Sequence, residues 1–367
     1  MHRTKRRSVL IFGGAGFIGS NLAHWFLTQT EAKVHVFDNL SRQGTHYNAE
    51  WLKQIARNSD RLELTIGDIR NRALVEEAVA NADEIYHFAA QVAVTTSLID
   101  PRLDFEVNVQ GTFNILDAAR KSRKKPFLLF TSTNKVYGDL GLGAPERSAK
   151  RYFHPDHMGI SESQPLDFHS PYGCSKGAAD QYVRDFGRIY NLPVVVFRMS
   201  CIAGPRQFGT EDQGWVAHFL YSALQGKAVK IYGDGRQVRD VLCVKDLVRA
   251  MQGVKDNLPQ TAGQIYNVGG GPENTTSLLE LLETIRKLTG VKLDYFMDRA
   301  RPGDQLVYIT DYSKLRSHIG WKPQISIEQT LKLLRQFWQE NQAVTMPSVA
   351  GYAEPSWNGV PALERAS

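Results

Sequence analysis

The 367-residue chain is 42% hydrophobic and 22% charged with a formal net charge of +6, a globular composition long enough for two domains and a sizeable core. No apolar run approaches the roughly 18 to 20 residues of a membrane span, and the basic start Met1–Arg7 leads into a strand without a cleavage site, so no membrane partner and a cytoplasmic location are expected. Cys174, Cys201 and Cys243 are too few and too widely spaced for a disulfide framework or a metal site, and the basic residues are dispersed apart from the first seven positions and Lys121–Lys125; small anionic ligands are expected, and metal and nucleic acid are not.

The first element is a short buried strand, Ser8-Val9-Leu10-Ile11-Phe12, which runs directly into Gly13-Gly14-Ala15-Gly16-Phe17-Ile18-Gly19-Ser20 and a helix over about 17–28. Gly13, Gly16 and Gly19 permit a tight turn, close backbone approach to a pyrophosphate, and packing of helix on strand, with the phosphates at a helix N-terminus. A second strand, Lys33 to Phe37, ends in Asp38, where a ribose-binding carboxylate belongs. An acid there repels a 2′-phosphate and favours NAD over NADP, although Arg42 nearby could hold that phosphate.

Strands then alternate with helices, the pattern of a doubly wound parallel sheet. Leu62–Ile66 is a strand ending at Gly67-Asp68-Ile69, followed by a helix over about 70–80; Glu84–Phe88 leads into Ala89-Ala90-Gln91; a long helix covers about 104–120; and Phe127–Phe130 ends at Thr131-Ser132-Thr133. The next helix carries Tyr172 and Lys176, four residues apart and so on one face, where the ammonium favours the phenolate and equips the tyrosine as a base. Val194–Arg198 is the sixth strand. Ligands of such sheets bind beyond the carboxyl ends of the strands, where Gly13, Asp38, Asp68, Ala89 and 131–133 all fall.

The strict alternation breaks down from about residue 200. The expected division is a Rossmann-type NAD-binding domain over 8–199 with a returning segment at about 239–265, a smaller mixed α/β substrate domain over 200–238 and 266–340, and a tail over 341–367. Trp215, Phe219 and Leu220 share a helical face and read as core.

In this order, the glycine turn, the hydroxyl-rich strand end and the Tyr-Lys helix resemble the extended short-chain dehydrogenase/reductase family of sugar-nucleotide epimerases and dehydratases, over about residues 8 to 340. The resemblance implies a catalytic set of Thr133, Tyr172 and Lys176: a hydroxyl to bind the reacting sugar hydroxyl, a proton exchanger, and a lysine that lowers the tyrosine pKa and holds the nicotinamide ribose. The expected NAD contacts are Gly13, Gly16, Phe17, Ile18, Gly19, Asp38, Asn39, Ser41, Arg42, Asp68, Ile69, Ala89, Ala90, Gln91, Asn108, Thr131, Tyr172, Lys176 and Arg198. Where the family's 4,6-dehydratases carry an Asp-Glu pair after the strand-end hydroxyl, this chain has Asn134 and Lys135. Neither does carboxylate acid-base work, so epimerisation is expected rather than elimination.

Three segments are more specific: Ser132 to Leu140, Leu166 to Tyr182, and Gly204 to Phe208 with Asp212 to Val216. Together they are similar to the CDP-paratose (CDP-tyvelose) 2-epimerases; Met199 to Ala203 departs from that group. The resemblance implies a CDP-sugar substrate and at least a dimer, a homodimer or homotetramer, built on helices near 108–120 and 172–190. Thr133, Asn134, Lys135, Gln207, Gln213, Arg239, Arg301 and Asp304 are the expected substrate contacts, with the two arginines clamping the diphosphate and Asp304 meeting the nucleotide ribose. The rival readings are a UDP-sugar 4-epimerase, a net dehydrogenase or reductase, and a redox-sensing NAD-binding module, which would not need the Tyr-Lys pair retained here.

Overall fold

The computed structural model describes residues 6–156, 158–301 and 304–342. Seven parallel strands form the main sheet: β1 (Ser8–Phe12), β2 (Lys33–Asp38), β3 (Leu62–Ile66), β4 (Glu84–His87), β5 (Phe127–Thr133), β6 (Val194–Met199) and β7 (Gln264–Val268), in the order β7-β6-β5-β4-β1-β2-β3. Helices cover both faces, so the central strands are buried on both sides and read as continuous apolar runs. Their side chains still alternate. Val9 and Ile11 of β1, Phe127 and Leu129 of β5, and Val195 and Phe197 of β6 enter one core; Leu10, Phe12, Leu128, Phe130, Val194 and Val196 enter the other. Each fully buried residue of this size contributes about 1.5–3 kcal/mol.

The strand order reverses between β1 and β4, the switch point at which such sheets bind ligands. The helices differ from the sequence reading in three places, the first being Val94–Ile99, a short helix after β4 that it did not include. Thr45–Ala56 is a helix that the sequence reading did not anticipate; it follows Gly44, whose φ of +85° and contact with the Phe208 ring leave no room for a Cβ. The segment expected as one helix over 104–120 is α-helical over Pro101–Phe105, π-helical over Glu106–Gly111 and α-helical again over Thr112–Lys121. Gly111 lies against Ile69, whose Cδ1 would be 2.5 Å from an added Cβ.

The smaller sheet is centred on Val238–Cys243, which pairs with Cys201–Ala203, Thr275–Ser277 and Val307–Tyr308. Helices Trp215–Gln225, Leu278–Thr289 and Ile327–Glu340 share its core; the last two begin with capping boxes, Ser277 with Glu280 and Ser326 with Gln329. Phe219 and Leu220 are buried here, and Trp215 packs against them and donates its indole N–H to Cys201 Sγ at 3.4 Å. The return to the main sheet begins only at helix Val244–Asp256 and ends in β7, so it runs to residue 268 rather than 265. The expected tail lies outside the described residues apart from 341 and 342. Among the described residues no helix is long and apolar enough to cross a membrane.

Candidate active site

The glycine turn closes the β1 end of the crevice. Gly13 has φ of +75°, its amide bonds the Phe37 carbonyl at 2.8 Å, and a Cβ there would lie 2.6 Å from the Ala89 amide. A Cβ on Gly19 would run into the Gly13 carbonyl, so only glycine lets the helix Phe17–Gln29 sit on the turn. That helix starts at Gly16 without a side-chain cap, leaving first-turn amides at Phe17 and Ile18 for a ligand anion. Asp38 ends β2 with its carboxylate accepting from the Ala15 and Leu40 amides at 3.0 and 2.9 Å; burial pushes its pKa up and these amides pull it down. A buried acid fixed against the turn, beside first-turn amides that no side chain caps, fits the pyrophosphate and ribose of NAD.

The remaining expected cofactor positions divide into two kinds. Asn39, Ser41 and Arg42 form an open loop in which Ser41 bonds Asn39, and the Arg42 charge lowers the Tyr172 pKa. Asp68 is held by Arg70 through paired bonds of 3.1 and 2.8 Å, which depress its carboxyl, while Ile69 packs beneath the crevice. The Ala89 amide bonds the Phe12 carbonyl at 3.0 Å and leads through Ala90 to Gln91. Asn108, on the π-helical turn, is committed to protein. Its Oδ1 accepts from the Gln91 amide at 3.0 Å, and its Nδ2 reaches Gln91 O, Asp104 Oδ1 and Ser175 Oγ at 3.0–3.1 Å. It ties the β4 loop to the Tyr-Lys helix.

Tyr172 and Lys176 stand on the helix Ser170–Tyr190, against the end of β5. The Thr133 hydroxyl donates to Asn134 Oδ1 at 3.4 Å and is near enough to the Tyr172 phenol to lower its pKa, and the Tyr172 amide donates to Ser97 Oγ at 3.1 Å. Lys176 is 4% exposed and donates to the Thr131 carbonyl at 2.8 Å, with its ammonium 4.2 Å from the Phe130 ring centre. The expectation that Lys176 depresses the phenol does not hold in this state. Burial pushes Tyr172 up to about 12 despite Thr133 and Arg42, and burial lowers Lys176 to about 7 despite Asp180 and Asp104. The lysine points at a strand carbonyl, so desolvation outweighs its attraction for a phenolate.

Arg198 is turned toward protein. Its guanidinium forms a bidentate pair with Asp180 at 2.8 and 3.0 Å and reaches Tyr137 Oη at 3.1 Å, which takes three of its five N–H donors. Asp180 is fully buried, one helical turn beyond Lys176, and Tyr137 continues the network to Asn267 at 2.7 Å. The sequence signal for Asp180 was its place four residues after Lys176 on the same helix face; Tyr137 and Asn267 gave none, being 130 residues apart.

The substrate positions gather above β5. Asn134 Nδ2 donates to Gln305 Oε1 at 3.2 Å, Gln305 returns a 2.7 Å bond to the Gly138 carbonyl, and Lys135 Nζ meets Asp304 at 3.1 Å. The two residues in place of an acid pair therefore bind the strand end to the smaller domain. Arg239, on that domain's central strand, bonds the same Asp304 oxygen at 2.6 Å. Asp304 thus meets two cations, and it is held down to about 2. The expected two-arginine clamp is not formed: Arg301 bonds the Glu211 carbonyl and Asp212 at 3.3 and 3.2 Å and stacks 3.9 Å over Tyr232. Gln207 is buried under its loop, donating to the Ile202 carbonyl at 3.1 Å, while exposed Gln213 is in a turn with Thr210. Among the described residues no cluster of three or more His, Cys, Asp or Glu could hold a metal, and all three cysteines are free.

Residues 10–334 match the family described as GDP-mannose 4,6-dehydratase. The chain is 42% identical over 326 residues to CDP-paratose 2-epimerase of Salmonella typhi, covering 87% of this chain and 95% of that one. Similar solved structures include a UDP-glucose 4-epimerase with UDP-glucose from Thermotoga maritima (27% identity, TM-score 0.77, 91% and 99% of the two chains). A dTDP-glucose 4,6-dehydratase from Bacillus anthracis in complex with NAD is likewise similar (28% identity, TM-score 0.75, 92% and 98%). The chain belongs to this family of NAD-dependent nucleotide-sugar epimerases and dehydratases, within the extended short-chain dehydrogenases/reductases.

Proposed function

We propose that this member of the family inverts C2 of a CDP-activated deoxyhexose, the CDP-paratose to CDP-tyvelose type of reaction, through a 2-keto sugar. The observation that carries the reading is the Thr133–Tyr172–Lys176 group at the end of β5 with Asn134 and Lys135, both engaged in bonds to the smaller domain, where elimination would need carboxylates. The 42% identity with a CDP-paratose 2-epimerase supports the position and the base.

Bound NAD would supply the hydride acceptor and, after the sugar has turned, the donor. Gly13, Phe17, Ile18 and Asp38 would hold it, with Lys176 at its ribose. Thr133 would hold the reacting hydroxyl against the Tyr172 oxygen, which takes the hydroxyl proton and later returns it. Burial raises the Tyr172 pKa, and positive charge beside the phenol, of the kind Arg42 already contributes, lowers it toward the range of a working base. A neutral amide, Asn134, and the hydroxyl of Thr133 leave the sugar loosely held, which rotation between the two half-reactions requires.

The protein is proposed to act as a homodimer. Phe113, Tyr182, Ile189 and Tyr190 are exposed on the neighbouring helices Thr112–Lys121 and Ser170–Tyr190, an apolar face of the kind that a second copy covers. The function is tested with a panel of CDP-, UDP-, GDP- and dTDP-sugars, with Tyr172→Phe as the control. CDP-paratose should be converted fastest, and the control should be slower by roughly 10² to 10⁴. Faster inversion of a UDP-hexose at C4 would replace this reading with the 4-epimerase one.

A further inference from the structure

Asp104 is a fully buried carboxylate on Pro101–Phe105, packed beside the Tyr-Lys helix, and takes no part in the proton transfers at Thr133 and Tyr172. Its Oδ1 accepts from Gln91 Nε2 at 2.8 Å and from Asn108 Nδ2 at 3.1 Å. Its Oδ2 is buried and accepts from no donor: the Ser175 hydroxyl next to it, near enough to lower the Asp104 pKa, is turned to the Tyr172 carbonyl at 3.2 Å. Both donors are neutral amides, and among the described residues no ammonium or guanidinium bonds either oxygen. A neutral amide oxygen would accept the same two bonds without the cost of burying a charge, so the charge itself needs a counterpart. That counterpart is Lys176. Each favours the charged form of the other, and Asp104 also raises the Tyr172 pKa, against Arg42. The second carboxylate acting on Lys176, Asp180, is already neutralised by Arg198. The other elements packed here add no free charge: His87 is buried and held neutral, Glu106 of the π-helical turn is paired with Arg70 at 3.3 Å, exposed Arg102 reaches Glu106, and Val94–Ile99 has no ionisable side chain.

We propose that Asp104 is a positioning residue of the reaction: its charge keeps Lys176 an ammonium on the helix of Tyr172, and its Oδ1 fixes Asn108, which bridges Gln91 to Ser175 on that helix. An uncharged Lys176 would exert no pull on a phenolate. The proposal rests on the family's Tyr-Lys chemistry but on neither the nucleotide nor the carbon inverted.

Asp104→Asn removes the charge and keeps an oxygen for Gln91 and Asn108. Loss of a negative charge favours deprotonation of both neighbours. In the NAD-loaded full-length protein, with the nucleotide sugar it turns over fastest, both limbs of the kcat/KM profile should therefore move to lower pH, by about 1 on the pH scale. A merely structural change lowers the rate without moving both limbs in one direction; unmoved limbs, or limbs that move apart, overturn the proposal. Asp104→Glu keeps the charge but not the length, and both its limbs should stay at the parent's positions whatever its rate; a shift like that of Asp104→Asn overturns the proposal as well. A second readout needs no sugar. In NAD-loaded protein carrying ¹³C at the tyrosine ζ carbon, with the resonance identified by Tyr172→Phe, Tyr172 should titrate at lower pH in Asp104→Asn than in the parent. A midpoint at or above the parent's overturns the proposal. This titration reads out even if no CDP-, UDP-, GDP- or dTDP-sugar is turned over, a result that would refute only the proposed function.

Discussion

Removing Asp180 should loosen the catalytic helix without touching the cofactor. Its carboxylate holds both forks of Arg198 at 2.8 and 3.0 Å, and the two side chains are 0% and 4% exposed. In Asp180→Asn the guanidinium stays buried with the Tyr137 hydroxyl and a neutral amide. Breaking one partner of such a pair costs about 3–5 kcal/mol, because the remaining charge is uncompensated. For 367 residues an unfolding entropy of about 2.1 cal/mol/K per residue makes 4 kcal/mol equal to a fall in Tm of about 5 °C. Arg198→Met alone buries an unpaired carboxylate and should cost a similar amount. The double variant Asp180→Leu/Arg198→Met, apolar and of similar volume, should recover most of the loss and retain NAD. Urea unfolding of the parent, Asp180→Asn, Asp180→Leu, Arg198→Met and the double variant, with the NAD content of each, gives the loss and completes the cycle. A loss below about 1 kcal/mol in Asp180→Asn, or a stable double variant without NAD, would refute the anchoring role and return Arg198 to the cofactor.

Lys176 has a folded pKa near 7, below its unfolded value of 10.5. The cost of burying its charge is therefore fully present below pH 7, on the order of 5 kcal/mol, and is relieved as pH rises from 7 toward 10.5. The NAD-free protein should gain stability across that window, and urea unfolding of Lys176→Met at pH 6 to 9 should show a flatter profile; parallel profiles would contradict the shift. Asp38→Ala removes the acceptor of the Ala15 and Leu40 amides and the charge that repels a 2′-phosphate. Its ratio of NAD to NADP affinity should fall, and an unchanged ratio would remove Asp38 from cofactor choice. Phe113→Glu with Ile189→Glu should yield monomers in sedimentation velocity if the exposed helix face joins two copies; an intact oligomer would place the interface elsewhere.

The parallel sheet and the glycine turn were legible because they are local. β1, the turn and the helix after it are contiguous in sequence, β1, β5 and β6 contain apolar runs, and β2 and β3 alternate apolar with polar residues. The edge strand β7 was missed because Gln264–Val268 looks no different from strands of the smaller sheet, and only its pairing with β6 assigns it. The π-helical turn carries no periodic signature over six residues, and the helix Thr45–Ala56 has a mostly polar surface. At the site, Tyr172 and Lys176 were visible from their spacing alone. The partners of Asn134, Lys135 and Arg198 were not: Gln305 and Asp304 lie about 170 residues along the chain from the first two. The direction of the Tyr172 shift depends on desolvation, which a sequence does not contain.

The central claim is that hydride leaves and returns to the same carbon, C2. The direct measurement is the fate of deuterium placed at C2 of CDP-paratose, followed by NMR of the product in H₂O, with a parallel turnover of unlabelled substrate in D₂O. The account predicts product with inverted C2 that keeps its deuterium and gains none from solvent. Solvent deuterium at C2 of the product would contradict transient oxidation and leave a deprotonation mechanism in its place.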